Sequence, residues 1–252
     1  MAIIYLCHEQ PDLYEHPAIV LDRRPGGVAL DRSAFHPGGG GQVGDVGSIE
    51  CGGGLAVAGI EIESAPGGDV WWHVLGATDD QRPDDLALAA PGEAVVVRVD
   101  VDHRRRVASL HTMSHVLNAL VFDEFEGSLV TGASIGGDGT GRMDFDLSAI
   151  DNDRLRALEA PVNDVIARGL AVESVYVSAH EATETPGLVR SLSVAPPPTP
   201  DGRLRLIDID GLDRQACGGT HISNTAESPA FRITKIENKG KRNRRVRFAF
   251  GD

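Results

Sequence analysis

The sequence lacks any apolar run close to the roughly 18–20 residues that a membrane-spanning helix needs. It also lacks a basic segment ahead of its first apolar stretch, MAIIYLC, and such a segment is typical of a secretory signal. Cysteine is scarce, with three widely spaced residues among 252, so a disulfide framework is not expected. These absences exclude a membrane-spanning helix, and they lead us to expect a cytoplasmic protein.

Positive charge is scarce overall, because 24 Lys and Arg stand against 37 Asp and Glu and give a net charge of −13. Taken as a whole, this balance argues against a nucleic-acid partner. The deficit is uneven, however. Residues 231–252 contain eight Lys or Arg and two acidic residues and so carry +6, which leaves −19 on residues 1–230. This basic segment could therefore bind a polyanion locally, or it could be a basic hairpin that only keeps the protein soluble.

Short β-like runs separated by Gly and Pro fill the first hundred residues. Examples are LAVAGIEIE at 55–63 and VWWHVL at 70–75. Many short strands at this spacing predict a small antiparallel barrel or sandwich. Because the composition changes near residue 92, we predict one domain over residues 1–92 and a second over residues 93–252.

The second part of the chain mixes helical and strand patterns. Apolar residues at helical spacing predict a long helix over 104–125, and a second helix is predicted over 151–170 with a break or kink at Pro161. Three strands are predicted near the C-terminus, the last two as a hairpin, at 203–209, 230–237 and 244–250. The predicted fold class is α+β, with a small N-terminal β-barrel domain followed by an α+β domain.

Two short motifs carry metal-ligand chemistry. In HTMSH, His111 and His115 stand four residues apart on the predicted long helix, so their side chains project from one face. In CGGTH, Cys217 and His221 have the same spacing in a glycine-containing turn. Three imidazoles and one thiolate form a set that Zn²⁺ prefers. No glutamate follows His111, which disfavours a metalloprotease of the HExxH type, and the residues alone leave a structural and a catalytic zinc equally open.

Several motifs together make the chain similar to a known family. In chain order they are FHPGGGGQVGD at 35–45, HTMSHVL at 111–117, GSLVTG at 127–132, RMDF at 142–145, CGGTHI at 217–222 and KIENKGKRNRRVRF at 235–248. On these residues the sequence resembles the alanyl-tRNA editing proteins, freestanding relatives of the editing domain of alanyl-tRNA synthetase. The motifs run in order over most of the chain, and the pairing of HxxxH with CxxxH is specific.

The resemblance implies a β-barrel domain joined to a zinc-binding α+β editing domain. It implies hydrolysis of the ester between tRNA(Ala) and a wrong amino acid, chiefly serine and sometimes glycine, with Ala-tRNA(Ala) spared. The implied cofactor is one Zn²⁺ per chain, held by His111, His115, Cys217 and His221, and the implied partner is the acceptor end of mischarged tRNA. No class II synthetase motifs are visible, so the resemblance implies an editor that acts in trans.

The Gly-rich motif is expected to supply the substrate side of the site. Carried over by position, Gly38, Gly39, Gly40 and Gly41 form a backbone wall, and a P-loop is disfavoured because the GK[ST] ending is missing. Gln42 is expected at the editing site near the amino acid, since its amide can both donate and accept hydrogen bonds. The alternative is that Gln42 only braces the loop.

Basic residues at two places are candidates for phosphate contacts. In the C-terminal hairpin they are Lys239, Lys241, Arg242 and Arg244. For Arg104 and its two following arginines, a phosphate contact and a solvated turn stay equally open.

Two other functions remain as alternatives. One is a non-catalytic RNA-binding module that zinc merely stabilises. The other is the same hydrolysis on a different mischarged tRNA, such as Ser-tRNA(Thr).

Overall fold

A computed structural model describes most of the chain. The described residues are 4–50, 54–64, 68–76, 90–147, 151–185, 187–188, 190 and 202–251. They divide into two compact units, the first formed by residues 1–38 and 44–104 and the second by residues 39–43 and 105–252. The predicted domain boundary near residue 92 rests on composition and stays a prediction. No helix among the described residues is long and apolar enough to cross a membrane.

The first unit contains a closed six-stranded barrel, which confirms the barrel predicted for the N-terminal part. Its strands are antiparallel and follow one another around the barrel in the order β2-β3-β7-β6-β5-β8. They are β2 (Glu15–Arg24), β3 (Gly27–Leu30), β5 (Gly47–Glu50), β6 (Gly54–Glu63), β7 (Val70–Leu75) and β8 (Ala94–Val99). Beside them, β1 (Ile4–Tyr5) pairs with β4 (Arg32–Ser33), and α1 spans Leu6–Glu9.

Alternation of buried and exposed residues explains how β2 contributes to the barrel. In β2, Ala18 and Val20 are buried, whereas Ile19 and Leu21 face outward. Side chains that alternate in this way give such a strand one apolar face for the interior. Gly47 shows how tightly the backbone packs, because a Cβ at this position would lie 2.1 Å from the carbonyl oxygen of Arg98.

Arg104 belongs to this unit, and its burial corrects both sequence interpretations for this one arginine, whereas those of Arg105 and Arg106 stay predictions. Its side chain is only 2% exposed, so it lies neither in a solvated turn nor at a surface for phosphate. Its guanidinium donates to both carboxylate oxygens of Asp45, which is also buried. A buried ion pair therefore holds the start of the long helix.

A buried histidine makes the stability of the barrel unit dependent on pH. His73 is completely buried in β7, and burial lowers its pKa to about 4. Its Nδ1 lies 3.3 Å from the carbonyl oxygen of Val28, and its Nε2 lies 2.8 Å from the hydroxyl of Ser33. The folded unit therefore holds His73 neutral, whereas an unfolded histidine titrates near pH 6.5.

The unfolded state binds a proton on His73 at higher pH than the folded state does. The stability that the neutral, buried His73 adds to the folded unit is therefore fully present above about pH 6.5. It is lost as the pH falls towards 4, at a cost of about 3 kcal/mol. Urea unfolding at a series of pH values, followed by the fluorescence of Trp71 and Trp72, should show this loss, because these two tryptophans are buried in the same strand and are the only ones in the chain. His73→Gln should flatten the pH dependence between 6.5 and 4. Equal slopes for the parent and the variant would contradict the assignment.

The second unit is built on α2 (Val101–Glu124), whose first residues belong to the first unit. The carboxylate of Asp100 accepts a hydrogen bond from the backbone N–H of His103 at 2.9 Å, as an N-cap does. Within the second unit, α2 is buried over most of its length, and Leu110, Val116 and Leu117 lie in the main core. The predicted helix over 104–125 is confirmed, and it begins three residues earlier.

Two sheets and several short helices complete the second unit. An antiparallel four-stranded sheet has the order β14-β15-β10-β9, and a three-stranded sheet has the order β11-β12-β13. The strands are β9 (Leu129–Ile135), β10 (Thr140–Asp146), β11 (Val172–Ser178), β12 (Arg203–Ile209), β13 (Asp213–Ala216), β14 (Phe231–Asn238) and β15 (Asn243–Phe250). The helices are α3 (Asn152–Ala157), α4 (Glu159–Arg168), α5 (Ala179–Glu184) and a 3₁₀ turn (Thr225–Glu227). The predicted α+β class and the C-terminal hairpin are confirmed.

The predicted second helix is interrupted, as Pro161 suggested. It forms two pieces, α3 and α4, that are separated at Leu158. Pro161 then occupies the first turn of α4, where its missing N–H costs no helical hydrogen bond. The side chain of Asp151 caps α3 by accepting from the backbone N–H groups of Asp153 and Arg154.

Candidate metal centre

The structure brings together all four predicted ligands. His111 and His115 lie one turn apart on α2, and Cys217 and His221 lie in the turn that follows β13. The four possible donor atoms all lie within 4.8 Å of one another. The Nε2 atoms of His111 and His221 are 3.5 and 3.3 Å from the Sγ atom of Cys217. This group can hold one metal ion.

The CGGTH turn depends on glycine and on a buried arginine. A Cβ at Gly219 would lie 2.2 Å from the His111 ring, so no other residue fits there without displacing the ligand. Arg205 in β12 donates from Nη1 to the carbonyl oxygens of Cys217 and Gly219, at 2.9 Å each. Arg205 belongs to none of the motifs in the sequence. Its strand RLRLIDI contains three charged residues, Arg203, Arg205 and Asp208, so no local signal distinguishes Arg205.

The electrostatics of the centre suit a metal rather than a free thiolate. Burial raises the pKa of the Cys217 thiol, against the opposing effects of the Gly219 N–H and of Arg205. Burial also lowers the pKa of His115 to about 4, with Arg205 and Arg190 acting in the same direction. Neutral imidazole is the form that binds a metal. Neutral His115 offers one ring nitrogen as a ligand atom.

The backbone of the Gly-rich segment adopts conformations that favour glycine. Gly38, Gly39, Gly40 and Gly41 all have positive φ angles, between 61° and 116°. The last three belong to the second unit, where a Cβ at Gly41 would lie 2.8 Å from the carbonyl oxygen of Ala133. Apart from the adjacent residues, no atom of the described part of the chain lies within 4 Å of a Cβ built at Gly39 or Gly40, so their backbone is open on that side.

Gln42 follows these glycines and points at the metal centre. Its side chain is 4% exposed and hydrogen bonds to His111 and to Thr220, the residue before the ligand His221. The structure thus brings Gln42 to the predicted ligands, and its contact with an amino acid stays a prediction.

The hairpin cations fall into two pairs. Arg242 bonds to Asp146 at 3.0 and 3.2 Å, and Arg244 donates to Asn238 and Gly240 within the turn. Lys239 and Lys241 lie in the same turn with exposed side chains, and neither forms an ion pair with any residue that the structure describes. Lys239 and Lys241 are therefore available for phosphate contacts, whereas Arg242 ties the hairpin to β10 and Arg244 braces its turn.

Comparisons with known proteins identify the family of this chain. Residues 204–247, which contain the CGGTH motif and most of the hairpin, match the family model for the threonyl and alanyl tRNA synthetase second additional domain. The alanyl-tRNA editing protein AlaX-M of Methanosarcina acetivorans is 36% identical over 230 residues, which cover 89% of each chain. AlaX-M of Methanosarcina mazei is 33% identical over 226 residues, covering 89% of this chain and 87% of that protein. The chain belongs to the alanyl-tRNA editing protein family.

Membership in the alanyl-tRNA editing family confirms the resemblance seen in the sequence. The synthetases match differently, because the alanine–tRNA ligase of Korarchaeum cryptofilum is 30% identical over 90% of this chain but over only 24% of its own length. This member of the editing family thus corresponds to one part of such a ligase.

Proposed function

We propose that the protein is a trans-editing hydrolase that deacylates mischarged tRNA(Ala), chiefly Ser-tRNA(Ala) and also Gly-tRNA(Ala), and spares Ala-tRNA(Ala). It is an enzyme of translation fidelity, as membership in the alanyl-tRNA editing family implies. The observation that carries the proposal is the convergence of His111, His115, Cys217 and His221 beside Gln42 of the Gly-rich segment.

Zinc is the metal that we propose for this site. Three imidazoles and one thiolate match its preferred nitrogen and sulfur ligands in number and type. When bound, zinc supplies a Lewis acid that can polarise an ester carbonyl or orient the terminal ribose of the acceptor end. The chain contributes the neutral imidazoles, the buried thiol and the turn that Arg205 holds in place.

Hydrolysis of the aminoacyl ester requires few catalytic groups from the chain. An aminoacyl ester is already reactive, so placing a water and stabilising the oxyanion suffices. The open backbone of Gly39 and Gly40 gives the acceptor end a wall that it can approach closely. Discrimination requires a polar group that bonds the serine hydroxyl, since that group is left unpaired when alanine enters.

Release of serine from Ser-tRNA(Ala) by the zinc-loaded protein tests the proposal, with Ala-tRNA(Ala) as the cognate control. No release above the uncatalysed rate would favour the non-catalytic RNA-binding module instead. Ser-tRNA(Thr) belongs in the same assay, because the matched family model names both the threonyl and the alanyl enzymes. Faster release from Ser-tRNA(Thr) than from Ser-tRNA(Ala) would show that Ser-tRNA(Thr) is the preferred substrate.

The exposed hairpin lysines are expected to contact tRNA phosphates. Replacing Lys239 and Lys241 with glutamine should weaken tRNA binding and lower the slope of log K against log salt by about 1.5, since each phosphate contact contributes roughly 0.7–0.9. Arg242→Gln and Arg244→Gln should also reduce binding, partly by loosening the hairpin that these arginines brace.

Filter binding between 50 and 300 mM salt measures this slope. Arg98→Gln is the control, because it removes an exposed barrel cation that pairs with Glu15 and Glu50. If the lysine variant and this control have the slope of the parent, the cluster serves only solubility.

A further inference from the structure

Backbone hydrogen bonds on both sides of Gln42 fix its position beside the predicted ligands. The carbonyl oxygen of Gly41, one residue before it, accepts a hydrogen bond from the N–H of Ile135 in β9 at 2.7 Å. The N–H of Val43, one residue after it, donates to the carbonyl oxygen of Ile135 at 3.1 Å. The backbone on both sides of Gln42 is thus tied to one residue of a core strand.

The neighbours of the Gln42 amide determine which of its ends faces the centre. Its Oε1 atom accepts from the backbone N–H of Thr220 at 3.0 Å, and Nε2 donates to the Thr220 hydroxyl at 3.0 Å. A backbone N–H can only donate, so the atom that it faces must be the amide oxygen. The same oxygen lies 2.6 Å from Nδ1 of His111.

This contact decides the tautomer of His111. Because the amide oxygen can only accept, Nδ1 of the neutral ring must carry the proton. The lone pair of the ring is then on Nε2, which is the atom that faces Cys217 Sγ at 3.5 Å. Gln42 thereby presents the metal-binding nitrogen of His111.

A second, unrelated side chain imposes the same arrangement on His221. Thr112 donates its hydroxyl proton to the carbonyl oxygen of Ala108 at 2.9 Å, so towards Nδ1 of His221, at 3.1 Å, it can only accept. Nε2 of His221 then carries the lone pair and faces Cys217 Sγ at 3.3 Å. Two of the three histidines are therefore oriented in the same way by different elements.

We infer that Gln42 is a positioning residue that acts on the metal centre through His111, with Thr112 as its counterpart for His221. The inference rests on the metal site of the proposed function. It differs from the expectation that Gln42 contacts the amino acid, because it assigns the effect of a substitution to metal affinity. Partners of this kind, one shell beyond the ligands, typically change metal affinity 10- to 100-fold when they are removed.

Three variants separate the two roles. Gln42→Ala removes the acceptor and should weaken zinc binding about 10- to 100-fold. Gln42→Glu keeps an acceptor oxygen for both His111 and the Thr220 N–H, so its zinc affinity should stay within a few-fold of the parent. Gln215→Ala is the matched control, because Gln215 is also a buried glutamine, and it hydrogen bonds to Asn118 and Asp213 rather than to a ligand.

Two measurements without tRNA decide the question. Competition with a chromophoric chelator gives the zinc dissociation constant, and long-range ¹H–¹⁵N NMR of the metal-free protein above pH 7 reports the tautomer of each histidine. We expect the Nδ1–H tautomer of His111 in the parent and in Gln42→Glu, and a mixture of the Nδ1–H and Nε2–H tautomers in Gln42→Ala.

Parent-like zinc affinity and an unchanged His111 tautomer in Gln42→Ala would overturn the inference. If that variant nevertheless fails to deacylate Ser-tRNA(Ala), Gln42 acts on the substrate. A parent that binds zinc but hydrolyses no aminoacyl-tRNA would overturn the proposed function and leave this inference intact. The tautomer measurement applies even if the parent binds zinc weakly.

Discussion

Cys217→Ala is expected to abolish tight zinc binding and to destabilise the second unit at the same time. The variant removes the only sulfur among the four donors, and the remaining three belong to α2 and to the CGGTH turn. A metal that binds only the folded state adds stability by mass action, about 4 kcal/mol when its free concentration is 1,000 times its dissociation constant. A metal ion held by these four residues would join parts of the chain more than a hundred positions apart, so its loss should lower the thermal midpoint as well as the metal content.

Cys7→Ala is the matched control, since Cys7 is also a buried cysteine, and it lies in the first unit. It should keep one equivalent of zinc by elemental analysis. A chelator should lower the thermal midpoint of the parent and of this control towards that of Cys217→Ala, and it should barely affect Cys217→Ala itself. A full equivalent of zinc in Cys217→Ala would contradict the assignment of the ligand.

The four donors could be found from the sequence because local spacing reveals them. His111 and His115 share a helix face by their separation alone, and Cys217 and His221 share a glycine-containing turn. The barrel and the long helix were predictable for the same reason, since alternation and helical periodicity are local properties of a strand or a helix. To assign the two motifs to one site, their donor atoms also had to be counted, because three imidazole nitrogens and one thiolate sulfur make up the four ligands of a zinc site.

The partners of the donors could not be predicted in this way. Gln42 and Thr220 are 178 residues apart, and no local pattern indicates that an amide in a Gly-rich segment will bond to a turn in another part of the chain. Arg205 is buried because the carbonyl groups of a distant turn satisfy its donors. Arg104 shows the same limit most clearly, because a run of three arginines suggests either solvent or a phosphate contact, and only the fold reveals the buried carboxylate of Asp45 beside the first of them.

Separating Arg104 from Asp45 is expected to cost the first unit about 3–5 kcal/mol, because the remaining charge would be buried without a partner. Nε of Arg104 donates to both carboxylate oxygens at 2.9 and 3.0 Å, and Nη2 donates to the carbonyl oxygen of Ala34 at 2.6 Å. Asp45 in turn accepts from the backbone N–H of His36 at 2.5 Å. Burial opposes the charge of Arg104, but the bonds to Asp45 outweigh it and raise the pKa of the guanidinium.

Asp45→Asn and Arg104→Met should each show this loss in urea unfolding followed by tryptophan fluorescence. The double variant should lose less than the sum of the two single losses, since it leaves neither charge alone in the interior. Arg98→Met, which breaks an exposed pair in the same unit, should have a much smaller effect. A typical domain is stable by only 5–15 kcal/mol, so either single variant would remove a large part of that margin. Additive losses in the double variant would mean that the two side chains stabilise the unit through their other hydrogen bonds rather than through each other.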